Sequence, residues 1–244
     1  MTYIPESEKH KLRPKTIINR KGQTILLCTL FLPFISSIYY DLEGFHKFIN
    51  WNLEVMRFRP TLRFLLASSF LAIERLCYTI IWLYPHKVEK YILELRGSWL
   101  NKNTDTIVDS IYKLFLINKI FQLLGYILIY ILHPSISFQN MTLFQIVVGS
   151  NLAFVGQFLN VATYTAIGKV GVYYGYKFGF HVPWCNGFPF NVITSHPQYL
   201  GSTLTSYGLI LITMTEYHSK DGWLMLGHIQ AFQYLYMAYV EHNL

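Results

Sequence analysis

Six long apolar runs limit what this chain can fold into more than any other feature of the sequence. They cover residues 24–40, 62–84, 107–132, 142–167, 199–215 and 223–240. Charged residues make up only 14% of the 244 residues, whereas an average soluble protein carries about 25%. Because about 20 consecutive apolar residues match the thickness of a bilayer, the sequence predicts an all-α, polytopic transmembrane helix bundle with about five to six membrane helices.

The chain divides into an N-terminal part, residues 1–61, and a predicted functional core, residues 62–244. The first 23 residues are basic and polar, which predicts a solvated tail. The apolar run that follows is short and contains Pro33, so it predicts either a kinked membrane helix or an interfacial helix. Residues 41–61 mix charges with aromatic side chains, a composition typical of the headgroup interface.

Basic residues lie between the apolar runs, and this explains the formal net charge of +7 without a nucleic-acid partner. With all six runs spanning the membrane and a cytosolic N-terminus, twelve Lys and Arg residues fall on the cytosolic side and four on the opposite side. This distribution follows the positive-inside rule. It predicts that the glycine-rich stretch 167–208 and Glu241, near the C-terminus, both lie at the cytosolic face.

Glu74 and Arg75 interrupt the second apolar run. Charges at membrane depth are costly, and they usually face protein or water rather than lipid. Two interpretations stay open: a structural ion pair with neighbouring helices, and a role facing a substrate.

Four glycines, Gly168, Gly171, Gly175 and Gly179, are spaced so that they share one stripe if the segment is helical. Such a stripe is typical of close helix packing in membranes. It also suits a flat ligand that lies against the backbone. The series lacks the spacing of a dinucleotide-binding fingerprint.

A second motif, His196-Pro197-Gln198-Tyr199-Leu200-Gly201, follows this series. Proline favours the first turn of a helix, so the motif predicts that His196 lies at a helix N-terminus, either as a cap or beside an anionic group. Glu241 closes the last apolar run, where a carboxylate opposes the helix dipole. We therefore expect Glu241 to serve a purpose other than helix stability, although an exposed chain end also explains it.

In these motifs the sequence resembles the small integral-membrane phospholipid methyltransferases, the phosphatidylethanolamine and phosphatidyl-N-methylethanolamine N-methyltransferases. That family has a glycine series ending in Phe-Gly, then Phe-Pro-Phe-Asn, then Pro-x-Tyr-x-Gly-Ser-Thr. The matching residues are Gly168, Gly171, Gly175, Phe178-Gly179, Phe188-Pro189-Phe190-Asn191, Pro197, Tyr199, Gly201, Ser202 and Thr203. The resemblance extends more loosely from about residue 62 to the C-terminus and leaves residues 1–61 outside it.

The resemblance implies a binding site for S-adenosylmethionine, the methyl donor. Carried over by position, its contacts are Phe154, Val155, Gly156, Glu241 and His242. The glycine-rich stretch and the motif that follows it add Gly168, Gly171, Gly175, Pro197 and Gly201 as predicted cofactor contacts. Three positions depart from the family pattern. Phe154 replaces a glycine, His242 replaces the second residue of a glutamate pair, and Tyr176 replaces an acidic residue.

Methyl transfer to an amine requires a neutral nitrogen held in line with the donor. Glu241, His196 or His242 would accept the amine proton, and Tyr199 and Tyr173 would stabilise cationic groups through their ring faces. The predicted catalytic residues are thus Glu241, His196 and Tyr199. No metal is expected, because the three cysteines lack metal-ligand spacing.

The resemblance implies N-methylation of phosphatidylethanolamine derivatives, in their mono- and dimethyl forms, toward phosphatidylcholine in the endoplasmic reticulum membrane. The phospholipid would enter sideways from the bilayer and S-adenosylmethionine from the cytosol. One alternative is a carboxyl methyltransferase of prenylated cysteine, which would need a cation near the site beyond Lys169 and Lys177. Another is a non-enzymatic membrane scaffold or transporter that uses Glu74 and Arg75.

Overall fold

A computed structural model of the chain describes residues 16–95, 106–130, 141–193 and 196–243. Within these ranges the protein forms nine α-helices and no β-strand. The helices are α1 (Arg20–Tyr40), α2 (Leu42–Arg57), α3 (Leu62–Leu83), α4 (Pro85–Glu94), α5 (Ile107–Tyr130), α6 (Leu143–Val172), α7 (Pro197–Thr213), α8 (Glu216–Lys220) and α9 (Trp223–Asn243). A 3₁₀ turn at Gly175–Phe178 follows α6.

The predicted all-α, polytopic architecture is confirmed. Four helices are long and apolar enough to cross a membrane: α1, α3, α5, and α6 with its continuation to Phe178. Helices α7 and α9, also predicted as spans, are not among these four. A total of five or six spans therefore stays a prediction.

Local sequence signals account for where the helices begin. The Asn19 side chain accepts a hydrogen bond from the backbone N–H of Gly22 at the start of α1, and Thr142 with Gln145 forms a capping box on α6. Pro85 and Pro197 occupy the first turns of α4 and α7, where a missing N–H costs nothing. The first apolar run is one continuous helix with Pro33 inside it.

Helices α6 and α7 pack backbone against backbone. A Cβ atom added to Gly156 would lie 2.4 Å from the carbonyl oxygen of Gly201, and one added to Gly208 would lie 2.5 Å from the carbonyl oxygen of Gly149. Such short distances exclude any side chain at these positions, as is common where membrane helices associate. This contact fixes α7, and with it the His196-Pro197 motif, relative to α6.

Two of the polar contacts between the N-terminal helices and the rest of the bundle are made with α6. The Asn151 side chain on α6 donates a hydrogen bond of 3.0 Å to the Thr29 carbonyl of α1. Asp41, between α1 and α2, accepts hydrogen bonds from the N–H groups of Gly44 and Phe144, at 2.9 and 2.7 Å. One carboxylate thereby caps two helices, α2 and α6. The predicted domain boundary at residue 61 stays a prediction, and the first 15 residues of the predicted tail lie outside the described ranges.

The predicted glycine stripe is wrong. Gly168 has a φ of +65° and interrupts α6, and Gly179 has a φ of +82°. Between them the chain leaves the α-helix and tightens into the 3₁₀ turn. A left-handed residue breaks the regular hydrogen-bond ladder of a helix, so the four glycines do not share one helical face.

Candidate active site

A cavity of about 230 Å³ lies among α3, α5, α6, α7 and α9 and the loop that precedes α7. Its lining combines aromatic rings with a few charged groups and includes Glu74, Arg75, Tyr78, Trp82, Phe115, Leu116, Lys119, Gly171, Tyr173, Tyr174, Tyr176, Trp184, Phe190, His196, Pro197, Tyr199, Ser202, Tyr234 and Glu241. A pocket that combines aromatic rings with a small number of convergent polar groups is typical of a small-molecule site.

One end of the cavity is organised around the Glu241 carboxylate, whose side chain is only 11% exposed. Tyr174 donates a hydrogen bond of 2.6 Å from its hydroxyl to Oε1, and the Tyr199 hydroxyl donates to the same oxygen. The other oxygen, Oε2, lies 3.3 Å from Nδ1 of His196. The structure therefore brings together Glu241, His196 and Tyr199, the three residues predicted to be catalytic, and adds Tyr174. We call these four residues the Glu241 cluster.

Helices α7 and α9 position three of the four residues of the Glu241 cluster. Pro197 begins α7, so His196 stands immediately before the helix and Tyr199 lies in its first turn. The His196 side chain makes no capping hydrogen bond; its ring stacks on that of Tyr199 at 5.2 Å between centroids. Glu241 lies in the last turn of α9.

Tyr174 is the member of the cluster that the sequence did not identify. It follows the end of α6 and has a φ of +57°, a left-handed conformation uncommon for a tyrosine. This conformation turns its hydroxyl toward Glu241 at the point where the 3₁₀ turn begins. Tyr173, which was predicted to contact cationic groups, also lines the cavity and stacks on Phe115.

Aromatic rings form the wall between the two ends of the cavity. Tyr78 stacks on Phe115 at 3.9 Å between centroids, and Trp82 meets the edges of Tyr174 and Tyr176. Ring faces attract cations through their quadrupoles. The wall therefore suits a positively charged ligand as well as an apolar one.

A second charged group, which we call the Glu74 cluster, lies at the other end. Glu74 Oε2 is 3.0 Å from the Arg75 guanidinium, and Oε1 is 2.9 Å from Nζ of Lys119 on α5. The Arg75 guanidinium also lies over the ring of Tyr234 at 4.3 Å. Glu74 thus forms the predicted ion pair with a neighbouring helix, through Lys119. Glu74 and Arg75 also line the cavity.

The residues implied as cofactor contacts do not form one surface. Gly171, Pro197 and Glu241 line the cavity, whereas Phe154, Val155, Gly156, Gly168, Gly175, Gly201 and His242 do not. Phe154 is 71% exposed on the outside of α6, and His242 is exposed at the end of α9. Gly156 and Gly201 serve the contact between α6 and α7. No observation tests a cofactor contact at any of these positions, so the cofactor set stays a prediction.

The Phe-Pro-Phe-Asn motif lies in the loop before α7, and helix α1 supports it. Phe190 lines the cavity. The backbone N–H of Asn19 donates to the Asn191 carbonyl at 2.8 Å, and the Gln23 side chain donates to the Val192 carbonyl at 3.0 Å. The sequence assigned no role of this kind to residues 1–61.

Among the described residues there is no group of three or more His, Cys, Asp or Glu side chains placed to hold a metal ion. The expectation of a metal-free reaction stays a prediction.

Comparison with known proteins identifies the C-terminal part of the chain. Residues 144–244 match the family model described as phospholipid methyltransferase. A phosphatidyl-N-methylethanolamine N-methyltransferase from Arabidopsis thaliana is 50% identical over 50 residues, which are 20% of this chain and 30% of that protein. The match thus spans less than a third of the relative's length. No solved structure matches the chain.

These matches confirm the resemblance carried by the sequence motifs. Residues 144–244 contain every member of the Glu241 cluster. Over residues 144–244 the chain is therefore similar to the phospholipid methyltransferase family.

Proposed function

We propose that the protein transfers methyl groups from S-adenosylmethionine to the amine of phosphatidylethanolamine derivatives, in their mono- and dimethyl forms, toward phosphatidylcholine. The observation that carries this proposal is the Glu241 cluster, a carboxylate paired with an imidazole at the end of an aromatic cavity among apolar helices. The match of residues 144–244 to the phospholipid methyltransferase family model supports the same reaction class.

The cavity fits the methyl donor chemically. S-adenosylmethionine supplies an electrophilic methyl group on a positively charged sulfur when it is bound. Rings of Tyr173 and Tyr199 present faces that favour such a charge, and Gly171 leaves the wall without a side chain. Glu241 and Pro197 complete the set of predicted contacts that line the cavity.

His196 and Glu241 together would prepare the amine. The substrate amine arrives as an ammonium, which the Glu241 carboxylate attracts. With Nδ1–H of His196 donating to Oε2 of Glu241, Nε2 of His196 is left as an acceptor for the amine proton. Glu241 fixes the orientation of the imidazole, as carboxylate partners of catalytic histidines do.

Tyr174 and Tyr199 hold Glu241 in place. Both hydroxyls donate to Oε1, so the carboxylate has one oxygen engaged and directs the other toward His196. Hydrogen bonds to an ionised acceptor are about twice as strong as neutral ones. The arrangement therefore fixes the position of the carboxylate next to the imidazole.

A second candidate has support from one observation. A carboxyl methyltransferase of prenylated cysteine requires a cation in the site, and the sequence offered only Lys169 and Lys177 for it. The structure adds Arg75 and Lys119 to the cavity lining, so that argument against the alternative was wrong. A phosphodiester would use the same cations, and the family of residues 144–244 favours the phospholipid.

The location that we propose is the endoplasmic reticulum membrane, with the Glu241 cluster at the cytosolic face. The distribution of basic residues between the apolar runs supports this orientation.

Membranes that contain the full chain, incubated with methyl-labelled S-adenosylmethionine, test the function. We expect label in the methylated ethanolamine lipids. Glu241→Gln and His196→Gln should each lower the rate about 100-fold or more, the usual contribution of a general acid–base group. Glu216→Gln and His86→Gln are matched controls on exposed positions and should leave the rate unchanged.

Label confined to prenylated cysteine peptides would support the second candidate instead. Correctly inserted protein that labels neither substrate would exclude both activities.

A further inference from the structure

The Glu74 cluster contains one carboxylate and two cations. Glu74 contacts both Arg75 and Lys119, and the only other carboxylate in the described lining of the cavity belongs to the Glu241 cluster. The Glu74 cluster therefore carries one positive charge in excess. An unbalanced charge among apolar helices is costly, and an anionic ligand group would offset it.

Arg75 is buried in the interior of the helix bundle. Only 5% of the Arg75 surface is exposed, and the Nε atom of its side chain is buried without a hydrogen-bond partner among the described residues. Buried donors without partners are rare in folded proteins. The guanidinium lies over Tyr234 and within 6.0 Å of the Tyr199 ring centroid, so it shares a wall with the Glu241 cluster.

The two charged clusters lie at different depths. Tyr234, under the Arg75 guanidinium, precedes Glu241 by seven residues on α9, which corresponds to about 10 Å along a helix. Arg75 lies eight residues before the end of α3, and Lys119 lies near the middle of α5. In a membrane, Glu241 is therefore near the surface and the two cations are deeper.

Lys119 connects the cavity to the outside of the bundle. Its side chain is 52% exposed although it also contacts Glu74. Leu116, one turn before it, lines the cavity and is also exposed, and Ile120 and Leu123 extend the same exposed apolar surface along α5. Acyl chains can lie on this surface while a headgroup reaches into the cavity.

We propose that Arg75 and Lys119 bind the phosphate diester of the lipid substrate while its amine lies at Glu241. A phospholipid carries its amine outermost, its phosphate one short linker deeper, and its chains in the bilayer. This order matches the order of carboxylate, cations and exposed apolar surface. The inference rests on the proposed function and assigns substrate recognition to α3 and α5, outside the segment that matches the family.

Equilibrium binding to the purified full chain in maltoside micelles tests the site. The two ligands are dihexanoyl phosphatidylethanolamine and an analogue with an ether in place of the phosphate diester. Lys119→Gln should weaken binding of the phospholipid about tenfold, the usual effect of losing one charged hydrogen bond. It should leave binding of the ether analogue and of S-adenosylmethionine unchanged.

Two further variants separate charge recognition from folding. Lys119→Arg keeps the charge and should retain phospholipid binding, and Arg63→Gln removes an exposed charge from α3 and should change neither ligand. Arg75→Gln should repeat the Lys119→Gln result more strongly. Because Lys119 is half exposed, its variants carry the test even where Arg75→Gln fails to fold.

Equal loss for both ligands, or a loss that falls on S-adenosylmethionine, would overturn the phosphate site. Binding does not require methyl transfer. Lys119-dependent phospholipid binding without any methylation would therefore refute the proposed function and leave the phosphate site intact. Methylation by the wild type, with phospholipid binding unchanged in Lys119→Gln, would refute the phosphate site and leave the proposed function intact.

Discussion

The two regions of the chain contribute to the cavity in different ways. Residues 144–244, which match the phospholipid methyltransferase family, supply the Glu241 cluster and hence the groups suited to chemistry on an amine. The preceding region, which lies outside that match, supplies Arg75 and Lys119, together with the helix that supports the loop of Phe190. Reaction and recognition are thus assigned to different parts of the sequence.

The two regions also differ in how their helices pack. Within the matched region, α6 and α7 meet through glycines with no room for a side chain. The N-terminal helices pack on α6 through aromatic side chains such as Phe34 and Phe45, and single polar contacts, those of Asp41 and Asn151, add to this packing. A substitution in the glycine contact between α6 and α7 should therefore lower the free energy of unfolding more than a substitution in the polar contacts of Asp41 or Asn151.

Gly156→Ala should have the largest effect on stability. Its new Cβ would lie 2.4 Å from the Gly201 carbonyl oxygen, and forcing an extra group into a packed interface costs about 3 kcal/mol at the upper end of the usual range. We expect a clear drop in the thermal midpoint of the detergent-purified protein. Gly187→Ala is the matched control, since its Cβ would have an ordinary contact of 3.5 Å with Cys185 Sγ. Equal midpoints for the two variants would show that the contact between α6 and α7 is looser than described.

Tyr174→Phe should have an intermediate effect, on activity rather than folding. It removes one of two hydroxyls that donate to Glu241, and a hydrogen bond to a charged group is worth about 1.5 kcal/mol at the low end of its range, or roughly tenfold in rate. Steady-state methylation of phosphatidyl-N-methylethanolamine measures it. Tyr239→Phe, on the exposed side of α9, is the control. A rate equal to that of the control would remove Tyr174 from the site.

Asp41→Asn should have the smallest effect on stability. It removes one of the two carboxylate oxygens that cap helices, and the loss of such a cap lowers the free energy of unfolding by about 1 kcal/mol. Burial acts to raise the pKa of the Asp41 carboxyl, but the hydrogen bonds from Phe144 and Gly44 outweigh it and hold the pKa below 3.8. The folded state thus favours the ionised form. The stabilisation is complete above pH 3.8 and is lost as the pH falls through the lower pKa of the folded protein.

Thermal midpoints of the wild type and Asp41→Asn should therefore differ at pH 7 and converge in acid. Glu94→Gln, an exposed position on α4, should show no such trend. A difference that persists below the pKa of Asp41 would mean that its charge is not what stabilises the junction.

Much of the fold and part of the site could be predicted from the sequence. Apolar runs of bilayer length predict helices irrespective of tertiary contacts, and the charge distribution predicted that His196 and Glu241 lie at one face. The two residues indeed meet, 3.3 Å apart.

The contact of Tyr174 with Glu241 could not be predicted from the sequence, because the direction of the Tyr174 side chain depends on a left-handed backbone after the interruption of α6 at Gly168. Periodicity assumes a regular helix, and this assumption also produced the incorrect glycine stripe. For Arg75 the sequence left a structural ion pair and a role facing a substrate both open. The place of Lys119 could not be predicted, because its contact is with Glu74, which lies 45 residues before it in the sequence.

The most direct test of the central claim is to find where the methyl donor binds. Ultraviolet cross-linking of labelled S-adenosylmethionine to the purified chain, followed by peptide mapping, reports the nearest side chains. We predict label on the peptides that contain Tyr173, Tyr174 and Tyr199, which line the cavity. Label on Phe154, which faces outward from α6, would contradict this account and place the donor outside the cavity.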